Sequence, residues 1–154
     1  SYLGYGMTVH RQPKLRIAGS SLQRLRERVK SLLRARRGSQ LTWLIERLNP
    51  VLRGWSSYFK LSQSKRPVEE LDGWVRRLLR NVLWRHWKRP VTRARNLMRL
   101  GLPEERAWKS ATNGRGPWWN AGALHLRQAL PKKRWDALGL VSILDTITRL
   151  SRMA

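Results

Sequence analysis

One predicted helix combines two residue types that bind nucleic acid, namely cationic side chains and tryptophan. A helical wheel separates its apolar side chains from a basic face. The residues on the basic side are Arg76, Arg77, Arg80, Lys88, Trp84 and Trp87. Arginine and lysine bind phosphate oxygens, and a tryptophan ring offers a flat surface on which an unpaired base stacks. The pattern predicts nucleic-acid binding; the alternative for the two tryptophans is packing beneath a neighbouring helix.

The net charge extends this prediction to the whole chain. The 154 residues include 33 lysines and arginines against 9 aspartates and glutamates, which gives a formal net charge of +24. Carboxylates within the chain can pair with only a minority of these cations, so the remainder require an external polyanion, of which a phosphate backbone is the default. Nine tryptophans and a hydrophobic fraction of 41% also provide a core, which excludes a disordered basic tail.

Residue patterns typical of catalysis or metal binding are missing from the sequence. The one acidic cluster, Glu69, Glu70 and Asp72, falls in the first turns of a predicted helix, where carboxylates complement the helix dipole. Cysteine is absent, which excludes disulfides, zinc ribbons and thiol catalysis. The histidines lack metal-ligand spacing; they are His10, His86 and His125. We therefore predict no catalytic residue, no metal site and no cofactor in this chain.

Apolar periodicity predicts a mainly α-helical protein. Residues 2–9 and 15–18 have the composition of an N-terminal β-hairpin, and apolar side chains recur at helical spacing after it. The predicted helices cover residues 20–38, 40–61, 67–88, 91–100, 104–111, 123–130 and 138–150. Pro50 interrupts the second of these without changing the phase of the apolar stripe, which predicts either a kinked helix or two abutting helices that share a buried face.

Residues 112–122 are predicted to form a loop that is rich in glycine and tryptophan. It is either a tight turn pinned by tryptophans in the core or a flexible basic loop that lies on RNA. No apolar run reaches the ~18 residues that a membrane span needs, and the N-terminus lacks the order of a secretory signal. The apolar stripes face a common core, which disfavours a membrane-surface protein. We expect a soluble protein without a membrane partner.

Six segments resemble one protein family. Residues 48–59, LNPVLRGWSSYF, resemble the maturase-specific motif of bacterial group II intron-encoded reverse transcriptases. The resemblance continues in the same order through residues 71–80, 83–89, 115–118 and 138–144. The first residues, Tyr2-Leu3-Gly4-Tyr5, are similar to the strand that closes the polymerase palm of that family. Several long motifs in family order make chance agreement improbable.

The resemblance implies a fold and a division of the chain. Residues 1–19 would be a β-hairpin from the end of the reverse-transcriptase palm, and residues 20–154 would be the helical thumb and maturase bundle. In that family this region grips intron RNA and the template–primer duplex, and it assists RNA splicing and reverse transcription. The expected partners are therefore group II intron RNA, an RNA template with its DNA primer, and the fingers and palm of the polymerase.

The resemblance also implies what this chain does not do alone. The fingers and palm, with their metal-binding aspartates, are not encoded here, and the chain opens at Ser1 within the strand-like segment. We therefore expect a fragment that is inactive by itself as an RNA-directed DNA polymerase and that lies in the bacterial cytoplasm. Mg²⁺ is expected only together with the palm.

The predicted binding residues come from two sources, the basic face of the predicted helix and the resemblance to the family. Trp84 is the predicted stacking platform, and Leu3, Gly4 and Tyr5 are expected to border the primer terminus. The alternative function is a stand-alone structural RNA-binding protein, similar to a ribosomal protein, without a polymerase partner; the reading frame upstream of Ser1 would distinguish the two. The predicted phosphate contacts are Arg76, Arg77, Arg80, Lys88, Arg89, Arg93 and Arg95, with Arg115 as an outlying contact.

Overall fold

The computed structural model describes residues 5–7, 15–17, 19–35, 40–61 and 65–153. Strand β1 (Tyr5–Met7) pairs antiparallel with strand β2 (Leu15–Ile17), and Tyr5 lies opposite Ile17. Residues 8–14, which would join the two strands, are outside the described residues, as are Leu3 and Gly4. The palm-derived hairpin and the primer contacts at its start therefore stay predictions.

Helices make up most of the described chain, which confirms the mainly α-helical class. Each predicted helix before residue 112 is present, with ends shifted by a few residues at most. The helices are α1 (Gly19–Ala35), α2 (Leu41–Phe59), α3 (Arg66–His86), α4 (Pro90–Arg99), α5 (Glu104–Ala111), α6 (Pro117–Gly122), α7 (Leu124–Ala129), α8 (Lys132–Ala137) and α9 (Ile143–Met153).

Helix α2 settles the two alternatives for Pro50, because it is one helix with the proline inside it. Pro50 has no N–H to donate to the carbonyl of Glu46, one turn earlier. Both residues lie on the exposed side of α2, where water can bind that carbonyl. The opposite side is buried and continuous across the proline, from Leu48 to Leu52.

Three predictions after residue 111 are corrected. Half of the predicted loop is helix α6, which starts at Pro117, a residue suited to the first helical position because no N–H is needed there. Helix α8 is a further helix that apolar periodicity did not indicate. Helix α9 begins at Ile143 rather than Leu138, because Gly139 follows α8 with a φ of 87°, a left-handed conformation that ends the helix.

The described chain divides into two compact units, and the division falls within the residues of α3. The first comprises residues 1–73 and 139–154, and the second comprises residues 74–138. Within the described residues, no helix has both the length and the apolar composition required to cross a bilayer. The predicted boundary after residue 19 stays a prediction.

Two buried polar side chains connect distant segments of the first unit. The Asn49 amide donates to the carbonyl of Gly139 at 2.8 Å and accepts from the backbone N–H of Val141 at 2.9 Å. The Asp72 carboxylate accepts from the N–H groups of Ile143 and Leu144 at 2.8 and 2.9 Å. These bonds satisfy backbone groups in the segment before α9 and in its first turn, which apolar contacts cannot do.

Asp72 therefore differs from the sequence prediction. It was expected to be a first-turn carboxylate that complements the dipole of its own helix, but its residue is only 6% exposed. The carboxylate also accepts the Ser142 hydroxyl at 2.8 Å, so it caps the N-terminus of α9 with three hydrogen bonds. Glu69 and Glu70 remain exposed in the first turns of α3.

Candidate nucleic-acid interface

The second unit carries all eight predicted phosphate contacts, and the structure divides them into outward side chains that reach solvent and inward side chains that bond to the backbone of the unit. Lys88, Arg89, Arg95 and Arg115 are exposed. Arg76 is partly exposed. The remaining three, Arg77, Arg80 and Arg93, each donate side-chain hydrogen bonds to backbone carbonyls of the same unit.

Arg80 is the most buried of the inward arginines, with 7% of the residue exposed. Its Nε donates to the carbonyl of Ala121 at 2.7 Å. Burial, together with the smaller effect of the positive charges of Arg76, Arg127 and Arg77, lowers the pKa of this guanidinium to about 10. Arg80 thus holds the end of α6 through a buried hydrogen bond. This burial argues against the prediction that Arg80 contacts phosphate directly.

Arg77 fixes the other end of α6. Its Nη2 and Nε donate to the carbonyl of Trp118 at 2.8 and 3.3 Å, and the guanidinium carbon lies 3.9 Å from the centroid of the Trp118 ring. The guanidinium packs against Gly122 so closely that a Cβ at this glycine would lie 2.7 Å from the Arg77 Cζ. Glycine at position 122 therefore leaves the space that Arg77 occupies.

Arg93 performs a similar role for Trp84. It donates from Nη2 and Nε to the carbonyl of Trp84 at 3.0 and 3.2 Å, and its guanidinium lies 4.6 Å from the centroid of that ring. The ring of His125 lies 5.5 Å from Trp84, and Trp84 is only 1% exposed. An unpaired base has no access to this ring, so the structure argues against Trp84 as a stacking platform and favours the packing alternative.

Other tryptophans of the second unit are available to a base. Trp108, Trp118 and Trp119 are 38%, 41% and 46% exposed. Trp118 and Trp119 belong to the segment that was predicted to be either a pinned turn or a flexible loop. The segment is held in place, but its tryptophans face outward and are not the residues that pin it.

Asn120 is the residue that holds this segment, and it is completely buried. Its Nδ2 donates to the carbonyls of Arg115 and Gly116 at 3.1 and 2.9 Å. Its Oδ1 accepts from the Asn113 amide at 2.7 Å and from the His125 ring at 2.9 Å. The Asn120 amide therefore bonds to the turn before α6 and to His125 in α7. The sequence alone does not reveal this role.

The hydrogen bond to Asn120 defines the protonation of His125. An amide oxygen only accepts, so Nε2 of His125 carries the proton. Burial lowers the pKa of His125 below its ordinary value of 6.5, and the positive charge of Arg106 lowers it further. The ring is consequently neutral near pH 7 and forms part of the support of Trp84 and Asn120.

We expect the stability of the folded chain to fall as the pH drops below about 6.5, because His125 binds a proton more readily when unfolded. Its contribution is present in full above this unfolded pKa and decreases as the pH falls toward the lower folded pKa. Urea unfolding between about pH 5 and pH 7.5 measures the effect. The variant His125→Gln should show a weaker pH dependence than the parent; an equal slope for the two proteins would contradict the prediction.

A groove of about 640 Å³ lies beside Trp119 in the second unit. Its lining combines cationic side chains from α3, α5 and α7 with the Trp119 and His125 rings, and it includes no carboxylate. The residues that line it are Arg77, Arg106, Lys109, Ser110, Trp119, Gly122, Ala123, Leu124, His125 and Arg127. Of these, Arg77 alone was a predicted phosphate contact, and Trp119 and Gly122 lie in the segment predicted to be either a pinned turn or a loop on RNA. The cations of α5 and α7 were not predicted, because these short helices have no long basic periodicity.

The fold and this surface define a mainly helical, strongly cationic protein with exposed tryptophans. Residues 22–101 of the 154 match the family described as the Group II intron, maturase-specific domain. The match covers more than half of the chain, and the chain belongs to this family. This confirms the resemblance for the maturase region and indicates a role in group II intron maturation. A comparison with curated proteins finds no matching relative.

Proposed function

We propose that this chain is the RNA-binding thumb and maturase region of a group II intron reverse transcriptase. It holds intron RNA to assist splicing, and it holds the template–primer duplex while the fingers and palm of the polymerase perform DNA synthesis. Any Mg²⁺ required for synthesis would be bound by the palm. Family membership supports the partnership with intron RNA in general terms, and the charge distribution supports RNA binding by the second unit.

The observation that carries the proposal is the surplus of cations over carboxylates in residues 74–138. Across this fully described range the acids are Glu104, Glu105 and Asp136, and the one recorded ion pair joins Lys132 to Asp136 at 2.9 Å. Three carboxylates offset only a small part of the repulsion among the cations of this unit. A phosphate backbone relieves this repulsion and releases counterions when it binds.

The outward cations provide the contact surface, and the inward arginines provide its rigidity. Lys88 and Arg89 are exposed in the short segment between α3 and α4, and Arg95 is exposed on α4. An A-form duplex has a shallow minor groove and is recognised mainly by its shape and backbone, so this surface can hold RNA or an RNA–DNA hybrid without reading its sequence. The same surface would serve intron RNA and the template–primer duplex.

We expect the triple variant Lys88→Gln, Arg89→Gln, Arg95→Gln to bind a group II intron RNA more weakly, with a smaller salt dependence. Filter binding over a range of monovalent salt gives the slope of log affinity against log salt, which should decrease in magnitude by about one for each phosphate contact removed. These side chains are exposed, so the circular-dichroism melt should remain that of the parent.

A matched control removes three exposed arginines from the first unit. The variant Arg28→Gln, Arg34→Gln, Arg53→Gln loses the same charge and should keep most of the affinity and slope. Equal losses in the two variants would show that only net charge matters and would refute the proposed surface. An RNA–DNA hybrid should compete with intron RNA for the parent protein; failure to compete would refute the template–primer role.

A further inference from the structure

We propose that the groove beside Trp119 receives one unpaired nucleotide of the bound RNA, with its base against the Trp119 ring and its phosphate among the surrounding cations. This inference rests on the proposed RNA-binding function and specifies which part of the RNA the site recognises. It concerns a surface separate from the duplex-holding residues Lys88, Arg89 and Arg95.

The charge of the groove indicates an anionic occupant. Arg77, Arg106, Lys109 and Arg127 contribute to its lining, and none of the lining residues carries a carboxylate. Arg77 is fixed against Trp118 by two hydrogen bonds and by ring contact, so its positive charge remains at the groove. A phosphate would offset the repulsion among these four cations.

The aromatic wall indicates that the anion carries a base. Trp119 is 46% exposed, and two groups lie near its ring: the Arg115 guanidinium is 5.2 Å from its centroid and the His125 ring is 6.3 Å from it. The buried Asn120 holds the backbone next to Trp119 through hydrogen bonds to the preceding turn. The exposed part of the ring is thus preorganised to stack on a base.

The size of the groove favours an unpaired nucleotide over a duplex as its occupant. A volume of about 640 Å³ lies within the range of pockets that enclose small molecules. It accommodates a nucleotide, whereas an RNA helix is too wide to enter. An unpaired nucleotide in an RNA strand and a free nucleotide share the same chemistry. We assign the site to the strand because the cationic surface of the second unit continues beyond the lining of the groove, for example at the exposed Arg115.

The test compares an RNA duplex that contains one bulged nucleotide with the fully paired duplex of the same sequence. The parent protein should bind the bulged duplex about tenfold more tightly, the size of effect that stacking of one base on an aromatic side chain provides. With 2-aminopurine as the bulged base, fluorescence should fall on binding because the base stacks.

Two independent variants report on the groove. Trp119→Ala should lose the preference for the bulged duplex and the fluorescence change, and Trp119→Tyr should keep most of both. Lys109→Gln with Arg127→Gln removes two exposed cations of the groove, needs no change in the core, and should also reduce the preference to about twofold or less. The matched control, Lys88→Gln with Arg89→Gln, should weaken binding of both duplexes equally and keep their ratio.

Three results would overturn the inference. If the parent protein binds both duplexes equally, the groove does not recognise an unpaired nucleotide, while the proposed RNA-binding function stands. If adenosine monophosphate at about millimolar concentration reverses the fluorescence change without displacing the duplex, the groove is a site for free nucleotides. If neither duplex binds in a salt-dependent manner, the proposed function itself fails, and this inference fails with it.

Discussion

Replacing Asp72 with alanine should lower the free energy of unfolding by about 3 kcal/mol, because three donors at the start of α9 lose their shared acceptor. Two of these donors are the backbone N–H groups of Ile143 and Leu144, which cannot turn toward another partner. Ile143 is completely buried, so water does not readily replace the carboxylate there. For a chain of this length the loss corresponds to a fall in melting temperature of about 6–12 °C, which differential scanning calorimetry measures.

Two further variants distinguish the effect of the lost hydrogen bonds to α9 from the effect of the lost negative charge. Asp72→Asn keeps one acceptor oxygen and should cost less than the alanine variant, because the amide can still bind part of the donor set. Glu69→Ala removes the same charge from the exposed first turn of α3 and should change stability by no more than about 0.5 kcal/mol. If Glu69→Ala and Asp72→Ala have the same effect, the hydrogen bonds to α9 do not stabilise the protein.

Replacing Asn120 with aspartate should destabilise the second unit by about 3 kcal/mol, although the two side chains have nearly the same shape. The amide Nδ2 donates to the carbonyls of Arg115 and Gly116, and a carboxylate oxygen at that position would repel both. The new charge would also be completely buried. Urea unfolding measures the change, and hydrogen exchange should show faster exchange in residues 113–125.

The matched control for this variant is Gln128→Glu, which makes the same change from amide to carboxylate on the exposed side of α7. It should leave both stability and the exchange of residues 113–125 close to those of the parent protein. Unchanged exchange in Asn120→Asp would contradict the role of this amide in holding the turn before α6. Because the Trp119 wall depends on that turn, Asn120→Asp should also reduce the preference for bulged RNA.

The helices before residue 112 were predictable because each carries an apolar stripe long enough to specify its own buried face. α2 shows this best: its apolar residues keep one phase across Pro50, and Leu48 and Leu52 are buried on either side of it. The short helices α6 and α8 contain six residues each, too few for a periodic stripe, and α8 is terminated by a glycine conformation that only the structure reveals.

The candidate site was less predictable, because a helical wheel assigns side chains to faces without knowing which faces later become covered. It placed Arg80 and Trp84 together on a basic surface. In the structure both are buried, and Arg80 and Arg93 donate to the backbone carbonyls of Ala121 and Trp84. A guanidinium offers several donors on a long apolar stem, so the same residue type can bind a phosphate or support a turn.

By itself the sequence determined the helical class, the large positive charge and membership of the maturase family, because these depend on composition, local periodicity and motif order. Tertiary structure alone decided which cations face solvent, which tryptophans can meet a base and which polar groups cap distant helices. Asp72 and Asn120 illustrate the difference, since their hydrogen-bond partners are chosen by packing. The physical reason is that burial and long-range hydrogen bonding depend on neighbours that local sequence does not specify.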